Sequence, residues 1–492
     1  MSCRSLIRAL RVALAAAASL AAGGERAALE ETAAAPALQA LCAIARERNP
    51  DVQAALERVR QGLAARKGVD GFFDPVLSAD SGYAERDPVL PALSRAFGWT
   101  ADAVWIQAGI EQAVAPGWHG GFGAAVRQRR AEDVGSETLA GAYVRIPLLR
   151  DRGFALQNAQ VAAVEYDLAA LACDALQVAL ELERDLALRF TDHQLALAQR
   201  EVAATATERA ERLLNDAEQM VRLGAIPAHQ LNPARMEVAR RREEETAARR
   251  SVDTTRRRLA ELLGGDALPP EAEEPADVIA WAQAVRLPHA GSVSDAIGRR
   301  PDYQAAQARL RAAEARLARA RNERQSDLSA HAALAWRDDG ATEDADGAGW
   351  SVGLTWRKTI SDRAGAARET EARARIAELR EQARALEIAA AADAAVARSE
   401  FEAASRRLEL IGEAVETARA TLSAENERFQ LGEGTSRQTL DAQKDLTDVI
   451  RRRNDIAADL LRAYFRWAHA VGLGPAGAAP TGDIRPQPES PP

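Results

Sequence analysis

The sequence predicts an α+β membrane protein in which long antiparallel helices are joined to membrane-spanning β-strands. Three observations carry that prediction. The chain runs through one ordered set of landmarks twice, its helical stretches are far longer than a globular core requires, and between them the apolar period changes from helical to twofold.

Composition sets the limits. Of 492 residues, 47% are hydrophobic but only 4% are aromatic, and 28% are charged. The apolar content is therefore mostly Ala, Leu and Val among Glu and Arg, the mixture used by long helices and coiled coils. A net charge of -8 offers no general basic surface, so nucleic acid is not an expected partner, and runs such as Arg256-Arg257-Arg258 read as solvated helix faces. Cys3, Cys42 and Cys173 are too few and too scattered for a disulfide framework or a clustered metal site. Leu41 precedes Cys42 where a lipoprotein signal needs a small residue, which argues against lipidation there.

At the N-terminus, Arg4, Arg8 and Arg11 precede an apolar run from Val12 to Ala22, followed by Gly23-Gly24-Glu25. That order is a secretory signal peptide, assigned to residues 1–22. No later stretch approaches the roughly 20 apolar residues of a membrane-spanning helix. Any membrane segment after export must therefore be made of strands.

The duplication organises the rest. Asn49-Pro50-Asp51-Val52-Gln53-Ala54-Ala55 recurs as Arg300-Pro301-Asp302-Tyr303-Gln304-Ala305-Ala306. Asp151-Arg152 then matches Asp362-Arg363, Leu223-Gly224 matches Leu431-Gly432, and Leu263-Gly264 matches Val471-Gly472. The first repeat occupies 37–265 and the second 292–474, with residues 266–291 as a linker and 475–492 as a disordered Pro-, Gly- and Ala-rich tail. Each repeat reads as helix, strands, very long helix, turn and returning helix. The helices fall at 37–70, 153–222 and 228–264, then at 292–325, 364–430 and 436–472, with apolar residues such as Leu171, Leu176, Val178, Leu180 and Leu182 recurring within a background of Ala, Glu and Arg. At 1.5 Å per residue, a helix of about 65 residues is roughly 100 Å long and must pack side by side with others as a coiled-coil bundle.

Between helices the alternation is twofold. Trp350, Val352, Leu354 and Trp356 alternate with Ser351, Gly353 and Thr355, and Leu328, Ala330, Ala332, Leu334 and Trp336 share one face. In the first repeat Val144, Ile146 and Leu148 alternate with Tyr143, Arg145 and Pro147, and 76–83 is a further strand ending at Tyr83. One apolar face opposite a small or polar one is the pattern of a barrel strand between lipid and water. Six of the eight tryptophans, Trp99, Trp105, Trp118, Trp336, Trp350 and Trp356, lie in the strand-bearing stretches between the helices, which marks Tyr83, Trp336, Trp350 and Trp356 as candidate membrane-interface aromatics. Four clear strands cannot close a barrel, for which about eight is the practical minimum, so the chain must oligomerise; three copies would suffice. The first repeat also carries an extra stretch, about 84–140, where Val104, Ile106, Ala108 and Ile110 alternate with Trp105, Gln107, Gly109 and Glu111. It is either an outer-surface hairpin extending the barrel or added barrel strands.

These features together resemble the TolC-like outer membrane efflux proteins. The residues that carry the resemblance are the paired Asn-Pro-Asp and Arg-Pro-Asp helix starts, Ile146-Pro147-Leu148-Leu149-Arg150-Asp151-Arg152-Gly153, and Phe429-Gln430-Leu431-Gly432 leading to Leu440-Asp441-Ala442-Gln443. The resemblance implies a homotrimer with a 12-stranded transmembrane β-barrel in the outer membrane and a periplasmic α-barrel. It implies a passive exit duct, partnered by a periplasmic adaptor and an inner-membrane pump in tripartite efflux or type I secretion. It also implies a periplasmic gate: of the family's two aspartates three residues apart, Asp441 matches the second, whereas the first position holds Gln438. A ring of Asp441 carboxylates would attract cations, and losing the companion weakens that effect. The turns holding Leu223, Gly224 and Pro227, and Leu431, Gly432 and Gly434, are the candidate adaptor-docking tips.

Two other classes fit less well. His119, His193, His229, His289, His331 and His469 are scattered, with no metalloprotease, Walker or nucleophile-elbow pattern, so no enzyme, cofactor or metal is expected. A periplasmic coiled-coil adaptor or scaffold would account for export and helices, but not for strands with tryptophan-flanked apolar faces.

Overall fold

A computed structural model describes residues 34–84, 103–115, 118–129, 136–153, 155–223, 227–265, 268–287, 296–339, 347–431 and 433–475. The expected leader at 1–22 and nearly all of the expected tail at 475–492 lie outside the described residues. In chain order the elements are α1 (Ala34–Arg48), α2 (Pro50–Asp70), β1 (Val76–Ala84), β2 (Ala103–Ala115), β3 (Trp118–Arg129), β4 (Ser136–Pro147), α3 (Ala155–Arg222), α4 (Leu231–Leu262), α5 (Pro270–Glu273), α6 (Val278–Ala284), α7 (Pro301–Glu323), β5 (Asp327–Asp339), β6 (Gly347–Arg357), α8 (Arg363–Gln430) and α9 (Ser436–Ala470). The long helices α3 and α8 have 68 residues each. No described helix is long and apolar enough to cross a membrane.

The expected first helix at 37–70 is two. Pro50 has no N–H to continue α1, and it opens α2 at a position where that N–H would be unsatisfied anyway. The side chain of Asn49 fills the break: its Oδ1 accepts the Asp51 N–H at 2.9 Å, and its Nδ2 donates to the Leu262 carbonyl at 3.1 Å, at the end of α4. Its counterpart Arg300 does the same for the second repeat, donating from Nη1 to the Ala470 carbonyl at the end of α9 (2.7 Å) while pairing with Asp302 (2.7 Å). The repeated landmark is thus a clamp from the first helix of each repeat onto the last carbonyls of its returning helix. Gly264 and Gly472, at φ 87° and 75°, turn the chain off those two helices in the left-handed region that glycine enters without strain.

The chain divides into two compact units. One comprises Met1–Arg58, Ala172–Ala305 and Ala383–Pro492, and the other Val59–Leu171 and Ala306–Gln382. The first unit is built on one large apolar cluster to which α1 gives Leu38 and Leu41, α3 Leu186 and Phe190, α4 Leu259 and the turn after it Leu263, α8 Phe401 and Leu408, and α9 Leu461 and Phe465. The segment joining the repeats is part of this core. Asp277 caps α6 by accepting the N–H groups of Ile279 and Ala280, both at 3.0 Å, and α6 delivers Trp281, 1% exposed, between the rings of Phe190 and Phe465 at 5.8 Å from each. Charged groups on the helix flanks are tied by Arg462–Asp192, Arg451–Glu244 and Arg46–Glu183.

The second unit holds the sheet. It has six antiparallel strands in sequence order, β1-β2-β3-β4-β5-β6. The four strands expected next to the helices are there, as β1, β4, β5 and β6. The extra stretch, for which the sequence allows two placements, supplies β2 and β3. These lie between β1 and β4, with Ala79 opposite Ala108, Ala108 opposite Ala124 and Ala124 opposite Ala140. Among the described residues the sheet therefore has six strands, two more than the four clear ones in the sequence. The physical reason is that the two added runs satisfy each other's backbone groups and those of both neighbours; among the described strands, the outer sides of β1 and β6 are the ones left unpaired.

Candidate channel surfaces

Strand alternation sorts the sheet into two faces. On one lie Leu77, Ala79 and Ser81 of β1, Val104, Ile106, Ala108 and Ile110 of β2, Phe122, Ala124 and Val126 of β3, Ala140, Ala142, Val144 and Ile146 of β4, Leu328 to Trp336 of β5 and Trp350 to Trp356 of β6, joined pair by pair across every register. Its large members stand bare to solvent in the single chain: Leu77 is 74% exposed, Ile106 62%, Phe122 61% and Val352 72%. A soluble monomer does not present an apolar surface of that extent. The opposite face carries Ser78, Asp80, Gln107, Glu111, His119, Arg145, Ser329, His331, Thr355 and Arg357. Its groups pair across strands, with Gln107 Nε2 donating to Asp80 (3.2 Å), Arg145 to Ser329 (3.2 Å), and Asp327 held by both Arg145 and Arg357.

The aromatic candidates fall at the two ends of the apolar face. Trp336 and Trp350 stand in adjacent rows, opposite Ala348 and Leu334, at the end away from the helices, and Trp356 stands opposite Leu328 at the end next to α8. All three are exposed. Tyr83 pairs with Val104 near the end of β1, and its side chain lies outside the described residues. Phe122 and Val126 on β3 belong to this face without standing out in the sequence, because Gly120, Gly121 and Gly123 dilute the alternation there.

At the other candidate site the structure brings the two helix reversals together. Leu213 and Ala217 of α3, Leu231 of α4 and Phe429 of α8 form one buried cluster, with Leu440 of α9 packed against it. Leu223 and Leu431 project outward, 84% and 74% exposed, while Pro227 precedes the turn into α4. Gly224 and Gly432 lie outside the described residues. Around Gly434 the turn closes on one acceptor, the Arg428 carbonyl, which takes the N–H groups of Glu433 (2.9 Å) and Gly434 (3.0 Å). A Cβ at Gly434 would stand 3.1 Å from the Phe429 nitrogen, so the position needs glycine for space.

Asp441 lies exposed in the second turn of α9. Gln438 is occupied locally. Thr435 is the N-cap of α9, its side chain accepting from the Gln438 N–H, while Gln438 Oε1 accepts the Thr435 N–H at 3.0 Å. That reciprocal capping box satisfies orphan donors at the helix start, and it gives Gln438 a reason to be glutamine independent of any gate.

Comparison with known proteins fits this geometry. Residues 292–473 match the family model of outer membrane efflux proteins. Among curated proteins there is no significant match. The fold is similar to the solved structure of CusC (TM-score 0.67, 17% identity, 89% of this chain and 92% of that one). It is also similar to the outer membrane protein VceC of Vibrio cholerae (0.66, 17%, 89% and 96%) and to the MtrE outer membrane channel of Neisseria gonorrhoeae (0.67, 16%, 89% and 89%). Residues 292–473 thus carry the sequence pattern of the outer membrane efflux proteins, and the fold through nearly all of the described chain is similar to that of solved outer-membrane channels.

Proposed function

We propose that the protein is the outer-membrane channel subunit of a tripartite efflux or type I secretion system. In this reading it is a homotrimeric passive exit duct reaching from the periplasm through the outer membrane, exported by the 1–22 leader and supplied by a periplasmic adaptor and an inner-membrane pump. The observation that supports this best is the sheet: an unbroken apolar face across all strands, a polar face behind it and two unpaired edges. In lipid such edges are intolerable, so the sheet requires copies of itself to close. An adaptor or scaffold in the aqueous periplasm has no use for that face.

The gate and docking assignments rest on the same frame. Three Asp441 carboxylates around the axis would repel one another and draw in cations, and with Gln438 committed to the helix cap the ring carries one carboxylate per chain instead of two. The paired reversals, with Leu223 and Leu431 outermost, offer apolar knobs to an adaptor. Two measurements test this. The protein should resist carbonate extraction from outer membranes and conduct in planar bilayers, with Asp441→Asn raising conductance and weakening block by multivalent cations. Leu223→Asp with Leu431→Asp should abolish adaptor crosslinking while leaving the trimer intact. Release by carbonate would overturn the channel reading, and unchanged block or unchanged crosslinking would overturn the gate or tip assignment respectively.

A further inference from the structure

We propose that the inserted hairpin β2–β3 spans the outer membrane, so that each chain contributes six strands and the trimer closes a barrel of eighteen rather than twelve. The proposal rests on the trimeric-channel reading above.

Four observations carry it. The first is length. β2 has 13 residues and β3 has 12, against 13 and 11 for β5 and β6, and all match or exceed the roughly 9–11 residues a tilted strand needs to cross the hydrocarbon core. The second is position, because β2 and β3 separate β1 from β4 along their lengths and every one of the nine residues of β1 is paired to β2. If the hairpin stood out in water, β1 would lose its only partner among the described strands. The third is pattern. Val104, Ile106, Ala108 and Ile110 of β2 and Phe122, Ala124 and Val126 of β3 continue the apolar face row by row, while Gln107, Glu111, His119 and Ala125 continue the other. A hairpin exposed to water on both sides would have no reason to keep that register, since a slip of one residue would cost it nothing.

The fourth observation is a tie on the polar face. Tyr143 of β4 lays its ring across the neighbouring strand β3 toward Glu111 of β2, with Gly121 opposite both residues in the register. The ring lies over Gly121, where a Cβ would come within 2.8 Å of it. A glycine covered by a neighbouring aromatic is a device of curved sheets, and here it locks the inserted strands to a strand that belongs to the barrel by every other criterion.

Barrel diameter grows roughly linearly with strand number. Eighteen strands therefore give an outer-membrane section about half as wide again as twelve. Strand counts of about 16–18 are those that leave an open aqueous channel.

The test is cysteine accessibility in intact cells, on full-length protein with Cys3, Cys42 and Cys173 replaced by alanine. Single cysteines at Ala108 and Ala124 test the hairpin, Ala332 and Val352 serve as barrel controls, and Gln107 and Ala125 report the water-facing side. With a membrane-impermeant maleimide, Ala108→Cys and Ala124→Cys should react on the order of tenfold or more slower than Gln107→Cys and Ala125→Cys, as expected when apolar surroundings suppress the thiolate. Labelling of Ala108→Cys and Ala124→Cys with Ala332→Cys and Val352→Cys still protected would overturn the eighteen-strand proposal alone. Labelling of all four would overturn the channel reading itself. A second measurement does not depend on exposure: Ala79→Cys/Ala108→Cys and Ala124→Cys/Ala140→Cys face each other directly, at the roughly 4.5–5.5 Å typical of paired strands, and should form intrachain disulfides under oxidation. Their failure to form would reject the insertion of β2 and β3 between β1 and β4.

Discussion

Trp281 offers the sharpest test of how the repeats are held together. Its side chain is 1% exposed and touches Phe190 of α3 and Phe465 of α9, so truncation to alanine would leave a hole between elements of both repeats. Full removal of a buried tryptophan costs about 3–5 kcal/mol. One term works against this: the indole N–H is buried without a partner, and an unsatisfied buried donor carries a penalty of about 1–3 kcal/mol that the mutation relieves. Trp281→Ala should therefore cost about 2 kcal/mol, and Trp281→Phe, which keeps most of the ring contact and loses the orphan donor, well under about 1 kcal/mol. The unit that contains Trp281 has about 300 residues. At about 2.1 cal/mol/K per residue its unfolding entropy is about 0.6 kcal/mol/K, so the alanine variant should melt about 3 °C lower. Thermal unfolding of the detergent-solubilised protein, followed by circular dichroism at matched protein concentration, reads this directly. A drop below about 1 °C for Trp281→Ala, or an equal drop for Trp281→Phe, would refute the wedge and return the 266–291 segment to the role of a passive tether.

Three further outcomes are expected. Arg46→Ala strands Glu183, a carboxylate 3% exposed whose pKa burial already pushes up; it should lower stability by about 2–3 kcal/mol, and Arg46→Met/Glu183→Leu should recover most of that in urea titrations. Burial, reinforced by Arg184 and Arg300, pushes the pKa of His469 down to about 4, below its ordinary 6.5. The unfolded chain then binds the extra proton between those values, so stability is full above pH 6.5 and falls by about 1–3 kcal/mol as the pH drops toward 4; His469→Gln should flatten that part of the pH profile. Thr435→Ala removes the N-cap of α9 and should cost about 1 kcal/mol, seen as faster hydrogen exchange at Gln438 with little change in the middle of α9.

Much of the architecture is legible in the sequence because its landmarks are residues with backbone duties. Asn49-Pro50 and Arg300-Pro301 mark helix starts, and Gly264 and Gly472 mark helix ends, so the duplication aligns on them without any contact information. The two strands of the second repeat are legible because β5 and β6 alternate cleanly. What escapes is decided by partners distant in sequence. Trp281 sits among Pro, Ala and Glu, and nothing nearby signals that Phe190 and Phe465 will close on it. The split of 37–70 is written in Pro50, but the clamp that Asn49 makes onto the Leu262 carbonyl is not. The capping box is present in the sequence as Thr435 and Gln438, but the same glutamine also occupies one position of the gate pattern, and spacing alone does not separate the two. Even the placement of β2 and β3 depends on pairing, since alternation within one run does not name the strands beside it.

The addition of strands in a pair has a consequence for how such a chain can change over evolutionary time. In an antiparallel sheet one extra strand would reverse the direction of every strand after it and deliver α3 on the wrong side of the membrane. Two leave all later directions untouched. Sheet width in this chain is thus adjustable in steps of one hairpin, at the loop between β1 and β4, without any edit to the helices or to the second repeat.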